Sequence, residues 1–118
     1  MESVASRMRN QPAPPWAVFD DLLAPNRQPS RLWLHLLDDE VKPAVIYAGR
    51  PDRIVWSSIW SRRIDAQIDF ELTPRRGGTD LRWTLLIDGP ELEDRLKRHF
   101  CQRIGELINA NLRYTYGQ

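Results

Sequence analysis

The sequence predicts an α+β fold in which one antiparallel sheet lays an apolar face against a long C-terminal helix. Three observations predict it. In residues 64–72 every second side chain is apolar (Ile64, Ala66, Ile68, Phe70, Leu72), with Asp65, Gln67, Asp69 and Glu71 between them, the period of a half-buried strand. After Thr73-Pro74-Arg75-Arg76-Gly77-Gly78-Thr79 the alternation resumes as Leu81, Trp83, Leu85 and Ile87. Beyond Pro90, apolar residues recur at helical spacing: Leu92, Leu96, Phe100, Ile104, Leu107, Ile108 and Leu112. A sheet with one apolar face and a helix with one apolar stripe bury the two against each other.

The remaining elements follow in chain order. Weak alternation over residues 3–10 predicts a short strand, with Val4, Ser6 and Met8 on one side and Arg7 and Arg9 on the other. Gln11-Pro12-Ala13-Pro14-Pro15 stops it, and proline is well tolerated at a helix start because its missing N–H would be unpaired there anyway. Trp16, Phe19, Leu22 and Leu23 then define an amphipathic helix that ends before Pro25. Residues 26–30 read as a loop or one further turn. Residues 31–37 form an apolar run of strand length, compatible also with helix, and Asp38-Asp39-Glu40 reads as a solvated turn. Strands over 41–48, 53–60, 63–73 and 79–88 make a meander joined by Gly49-Arg50-Pro51-Asp52, by Ser61-Arg62-Arg63 and by Arg75-Arg76-Gly77-Gly78. The closing helix spans 90–114, for a total of six or seven strands. Gly105 inside that helix is expected to let it approach the sheet closely, since glycine in a helix interior costs about 1 kcal/mol against alanine.

The last hairpin carries its own register. A loop at 75–78 sets Leu72 opposite Leu81, Phe70 opposite Trp83, Ile68 opposite Leu85 and Ala66 opposite Ile87, while Glu71 meets Arg82 and Asp69 meets Thr84. A slip of one residue would put the whole apolar set in water, which fixes the facing. A slip of two would preserve it, so the partners themselves are less strongly determined.

Length and composition set the outer limits. At 118 residues, 28% charged and 42% hydrophobic, the chain is expected to form one globular domain over 1–118. Seventeen basic against sixteen acidic side chains leave a net charge of +1, with no bulk electrostatic case for nucleic acid. Fifteen of the basic residues are arginine, leaving only Lys42 and Lys97 as lysines, which reads as coding bias. Cys101 stands alone, so no internal disulfide can form. No apolar run reaches the roughly 18 residues of a membrane span, and Met1 to Arg7 lacks the apolar core of a secretory signal. Cytoplasm is the expected compartment.

Carrying the alternation back one hairpin places Ile54, Trp56, Ser58 and Trp60 on the helix-facing side beside Ile64, Ala66, Ile68 and Phe70, with Val45 and Tyr47 joining from the preceding strand. Ser58 and Ala66 are then two small neighbours among large ones. Close-packed interiors hold few voids, so either Phe100 or Ile104 fills the space or a ligand does. Five tryptophans (16, 33, 56, 60 and 83) point the same way. Trp16 and Trp83 read as core, whereas Trp56 and Trp60 serve equally as core or as pocket wall, since several indoles on one face suit a planar apolar ligand. The expected ligand-binding set is Tyr47, Trp56, Ser58, Trp60, Ala66, Ile68, Phe70, Trp83, Phe100, Ile104 and Ile108.

Catalytic constellations are thin. His35 and His99 have no Cys, His or carboxylate at metal-ligand spacing, and Cys101 has no His at a telling offset. Asp65, Asp69 and Glu71 are expected to be hydrated and unperturbed. Gly77-Gly78 precedes no helix and fits no phosphate loop. No catalytic residue, metal or cofactor is therefore assigned.

The order of elements resembles the START-like (SRPBCC) helix-grip superfamily, which includes polyketide cyclase/dehydrase and lipid-transport proteins and the Bet v 1-like fold. The residues that carry the resemblance are Ala13-Pro14-Pro15-Trp16-Ala17-Val18-Phe19-Asp20-Asp21-Leu22-Leu23, then Trp33, and the Gly77-Gly78-Thr79 hairpin that runs on to Trp83. The resemblance implies a curved antiparallel sheet gripping the last helix around an apolar cavity. Members bind lipids, sterols, quinones, hormones or polyketides, and some catalyse cyclisation or dehydration. The chain is short for that pattern, which favours a small pocket, and no residue matches a cyclase's acid or base. Three functions follow as expectations. The first is binding of a small apolar or aromatic molecule, lipid, polyketide or quinone-like. The second is a cyclase/dehydrase or hydrolase drawing on inward-facing Tyr47, Ser58 or His35. The third is an interaction module with a filled core, with dimerisation expected through outward-facing Val55, Ile59 and Leu86.

Overall fold

The alternation is realised as a five-stranded antiparallel sheet in the computed structural model, which describes residues 1–26 and 33–117. The elements are β1 (Glu2–Gln11), α1 (Pro15–Leu23), β2 (Val45–Gly49), β3 (Arg53–Ser57), β4 (Gln67–Arg75), β5 (Gly78–Ile87) and α2 (Asp94–Ile104). From α2 the chain continues without a break through wider π-helical turns over Gly105–Leu112 to a last α turn at Arg113–Thr115. The strand order is β1-β5-β4-β3-β2. Phe19 and Leu22 of α1, the inner face of the sheet, and Phe100, Ile104, Leu107, Ile108 and Leu112 of the C-terminal helix share one core.

The β4–β5 register is as expected, with Leu72 opposite Leu81, Phe70 opposite Trp83 and Ile68 opposite Leu85. The ladder runs further than the loop allowed, to Arg75 opposite Gly78, so that only Arg76 and Gly77 turn the chain. The two glycines there have separate reasons. Gly77 takes φ of 76°, which favours a residue without Cβ. Gly78 has an ordinary φ, but a Cβ on it would collide with the carbonyl oxygen of Gln11, where the end of β1 lies against the start of β5. Thr79 completes the junction by donating its hydroxyl to the Ala13 carbonyl at 2.7 Å.

Five strands stand where six or seven were expected, and side chains explain the difference. Residues 33–37 form no strand; residues 27–32 lie outside the description. The backbone groups there are taken by side chains instead: Asn111 donates to the Trp33 carbonyl, Arg103 to that of His35, and the Leu37 N–H to Glu40. Between β3 and β4 the ladder stops at Ser57 opposite Gln67. The Ser58 hydroxyl oxygen accepts the Trp60 N–H at 2.9 Å, closing a local turn. The alternation breaks there, so Ile59 and Trp60 both enter the core while Ile64, expected inside, is 83% exposed.

Two further facings are corrected. The β2–β3 register shifts between Val45 and Tyr47. A bulge of this kind adds one residue and reverses the parity beyond it. Val45 therefore faces in opposite Trp56, whereas Tyr47 pairs with Val55 on the outer face and is 51% exposed. Trp16 is 64% exposed. The buried stripe of α1 is Val18, Phe19 and Leu22, and at 100° per residue Trp16 points about 110° away from its centre. The expected outer patch of Val55, Ile59 and Leu86 also dissolves. Ile59 belongs to the core, Leu86 is half-buried, and Val55 is buried between its neighbours Tyr47 and Asp69, which Arg53 links by lying over the Tyr47 ring and pairing with Asp69. Among the described residues no helix is long and apolar enough to cross a membrane.

Gly105 faces open space, with no atom within 4 Å of a Cβ built on it, and keeps a right-handed helical conformation. It does not serve close approach to the sheet. Gly105→Ala should therefore stabilise the fold by about 0.5–1 kcal/mol. Gly78→Ala should destabilise it by about 1–3 kcal/mol through the forced shift of β1. Urea titration of both variants reads the opposite signs, and equal effects would overturn the assignment.

Candidate functional site

The interior between sheet and helix is built from aromatic rings. Trp33 stacks on Trp56 with centroids 6.1 Å apart, and Phe70 meets the Trp56 ring edge-on at 4.8 Å. Trp60 stacks on Phe100 of α2 at 3.9 Å and 14° between planes. Trp83 lies opposite Phe70 in the ladder and is fully buried. Of the expected ligand-binding set, Trp56, Trp60, Ala66, Ile68, Phe70, Trp83, Phe100, Ile104 and Ile108 are brought together in one core. Ser58 is buried beside them, but its hydroxyl serves the Trp60 backbone. Tyr47 is excluded from this interior by the β2 bulge. His35 is exposed and contributes only its carbonyl to Arg103. The three polar groups on which a reaction in the interior would draw thus lie elsewhere or are already engaged.

The indole nitrogens of this interior divide sharply. Trp56 Nε1 donates to the Leu22 carbonyl at 2.8 Å, closing the end of α1. Nε1 of Trp33, Trp60 and Trp83 finds no acceptor among the described residues, and Gln11, whose Nε2 donates to the Ile108 carbonyl at 3.0 Å, leaves its Oε1 unmatched. A buried donor without an acceptor costs about 1–3 kcal/mol. Natural interiors carry few of them, and here three indole N–H groups fall in one apolar core.

One buried ion pair frames this interior, at a residue read from the sequence as part of a solvated turn. Glu40 is buried, and Arg103 of α2 forks onto it with Nε–Oε2 2.7 Å and Nη2–Oε1 2.8 Å. Arg103 also donates to Glu106 and to the His35 carbonyl, each at 2.9 Å. Burial pushes the Glu40 carboxyl up, but the Arg103 fork and the Leu37 N–H outweigh it and hold it below the usual carboxylate range. The sequence carried the signal. Arg103 lies three residues from Phe100 and next to Ile104, inside the apolar stripe, where an unpaired charge is not tolerated.

Asp65 is a second departure. It was expected to be hydrated, yet it accepts two bonds from Arg63 and the N–H groups of Asp88 and Gly89, tying the 58–66 connection to the end of β5. The Arg63 contact foremost, with these N–H groups, holds its carboxyl well below the ordinary range. The Cys101 thiol is pushed up by burial and stays neutral. No group of three or more His, Cys, Asp or Glu side chains among the described residues is placed to hold a metal ion. Two open clefts flank α2 where it meets β1. One, of about 410 Å³, is lined by Glu2, Val4, Glu91, Asp94 and Lys97 among others. The other, of about 420 Å³, is lined by Val4, Ala5, Arg7, Lys97, Arg98 and Cys101.

No protein-family profile matches the chain, and no curated protein matches it significantly. Solved structures do. A protein of Rhodobacter sphaeroides superposes with a TM-score of 0.68 at 19% identity, over 93% of this chain and 89% of its own. The Aha1 dimer from Colwellia psychrerythraea superposes at 0.66 with 13% identity, over 94% of each chain. Ara h 8.0201 superposes at 0.62 with 13% identity, over 99% of each. These likenesses establish the helix-grip fold, with five strands here.

The buried pair makes a pH-dependent prediction. Arg103→Met leaves the Glu40 carboxylate buried without its partner and should cost about 3–5 kcal/mol at neutral pH. In the parent protein the depressed Glu40 and Asp65 groups give stability that is present above their unfolded values of about 3.9–4.3 and is lost as pH falls below them. In Arg103→Met the Glu40 value rises instead, so the deficit should shrink between pH 7 and pH 4 as the carboxyl protonates. Urea midpoints across that range check this, and a deficit independent of pH would overturn it.

Proposed function

We propose that the chain binds a small apolar or aromatic molecule, lipid, polyketide or quinone-like and carrying at least one hydrogen-bond acceptor, between the sheet and the C-terminal helix. The observation that carries this reading is the set of unpartnered indole N–H groups in an apolar interior, above all those of Trp60 and Trp83, each 1% exposed. A carbonyl or quinone oxygen satisfies such a donor, while the rings of Trp56, Phe70 and Phe100 suit the apolar body of the same molecule. The helix-grip fold supports the reading, since the superfamily that this chain resembles uses the space between sheet and last helix for apolar ligands. The ligand displaces Phe100 from the face of Trp60 and takes over the stacking contact.

Intrinsic fluorescence tests this directly. Titration with menadione, a naphthoquinone, and with 1-naphthol should quench or shift the emission of the buried indoles. The exposed Trp16 contributes an unchanging background. Trp60→Phe keeps a stacking ring but removes the donor, and should weaken binding of the acceptor-bearing quinone about tenfold, the worth of one hydrogen bond. Emission unmoved by every member of an apolar panel would overturn the proposal.

A further inference from the structure

The cleft between β1 and α2 has a composition unlike the rest of the surface around it. Its floor is apolar: Val4, Ala5 and Cys101 are half-buried and lie against the core. Its rim is Arg7, Lys97 and Arg98, and no carboxylate lines it. None of the three cations forms an ion pair among the described residues, although the chain pairs many of its other arginines. Arg7 gives one bond to the Ser6 carbonyl at 2.9 Å. Arg7 and Lys97 both lie close enough to Cys101 for their charges to oppose the upward push of burial on its thiol. Like charges brought together over an apolar floor, with no counter-charge, are stabilised by an anion that supplies one.

The floor also adjoins the core. Arg7 is the ladder partner of Trp83, so the two side chains lie on the same face of the sheet, Arg7 at the exposed edge and Trp83 beneath the helix. Trp83 carries one of the unmatched indole N–H groups. The adjoining cleft, which shares Val4 and Lys97, is lined by Glu2, Glu91 and Asp94. Those carboxylates repel an anion and confine it to the Arg7 end.

Resting on the binding function proposed above, we infer that this cleft is the polar mouth of the same site. It takes the carboxylate of an amphipathic monoanion, whose apolar body runs between β1 and α2 toward Trp83. A neutral molecule with the same body gains only the apolar contacts. The mouth therefore selects for an acid over the corresponding alcohol.

Decanoate and 1-decanol share a chain and differ in charge, so the pair separates the two proposals. With tryptophan emission as the readout, decanoate should bind at least tenfold tighter than decanol at low salt, the gap narrowing as salt screens the rim. In Arg7→Gln/Lys97→Gln, two substitutions outside the core, decanoate affinity should fall to that of decanol. Decanoate should also slow alkylation of Cys101 by N-ethylmaleimide in the unaltered protein, a readout that needs no variant. Equal affinities for acid and alcohol would overturn the anionic mouth while leaving the binding function intact. Binding of neither would overturn both. A preference for the acid that survives the double substitution, or alkylation untouched by bound decanoate, would place the carboxylate elsewhere and overturn the assignment.

Discussion

The contact on which the architecture turns is the fork between Arg103 and Glu40. The C-terminal helix meets the sheet through side chains, Phe100 on Trp60 and the Gln11 amide on the Ile108 carbonyl. The fork adds a third anchor to the segment running from Trp33 to Val41, which has no strand of its own. With that segment fixed, Trp33 lies over Trp56, and Glu40 pairs through its backbone with Trp60. A buried ion pair adds little net stability over an apolar substitute, because desolvating two charges cancels most of their attraction. Its contribution is geometric. The fork ties the loop at Glu40 to α2 at Arg103.

That arrangement leaves the interior in an unusual condition. The rings fill space efficiently, yet three of their donors have no acceptor among the described residues. A sequence selected for stability alone would carry phenylalanine or leucine at such positions, since an indole without an acceptor is penalised for its N–H. Local rules are broken chiefly where function requires it. Trp56, whose N–H caps the last turn of α1, shows what an indole placed for structure looks like in the same core.

Much of the fold was legible because the sheet face is a strict period of two. From Ile68 to Leu85 each apolar residue faces as its position dictates, and the β4–β5 pairing follows from the turn between them. The failures are of a different kind. Tyr47 was misplaced by a bulge, a backbone event without a composition signature. Ile64 and Ile59 exchanged sides because β3, expected to run to residue 60, ends at Ser57, where the Ser58 hydroxyl turns the chain. Trp16 was placed inside by its spacing to Phe19 and Leu23, but the buried stripe of α1 centres on Val18, Phe19 and Leu22 instead. Glu40 was grouped with Asp38 and Asp39 as one acidic turn. Its true partner is 63 residues away, and only the charge interrupting the helical stripe announced it. Trp56, Trp60, Phe70, Trp83 and Phe100 were legible as inward-facing; which indole N–H groups lack an acceptor among the described residues depends on three-dimensional contacts that no spacing records.

The irregularity in β2 has a consequence beyond the facing of Tyr47. β2 is the last strand on its side of the sheet, and among the described residues its outer backbone groups have no neighbouring strand. A straight terminal strand is a template on which another polypeptide can add itself, the first step toward fibrous association. The extra residue near Ile46 twists this border out of the flat geometry such growth requires. One misfit in the ladder thus makes this margin of the sheet a poorer template for such growth.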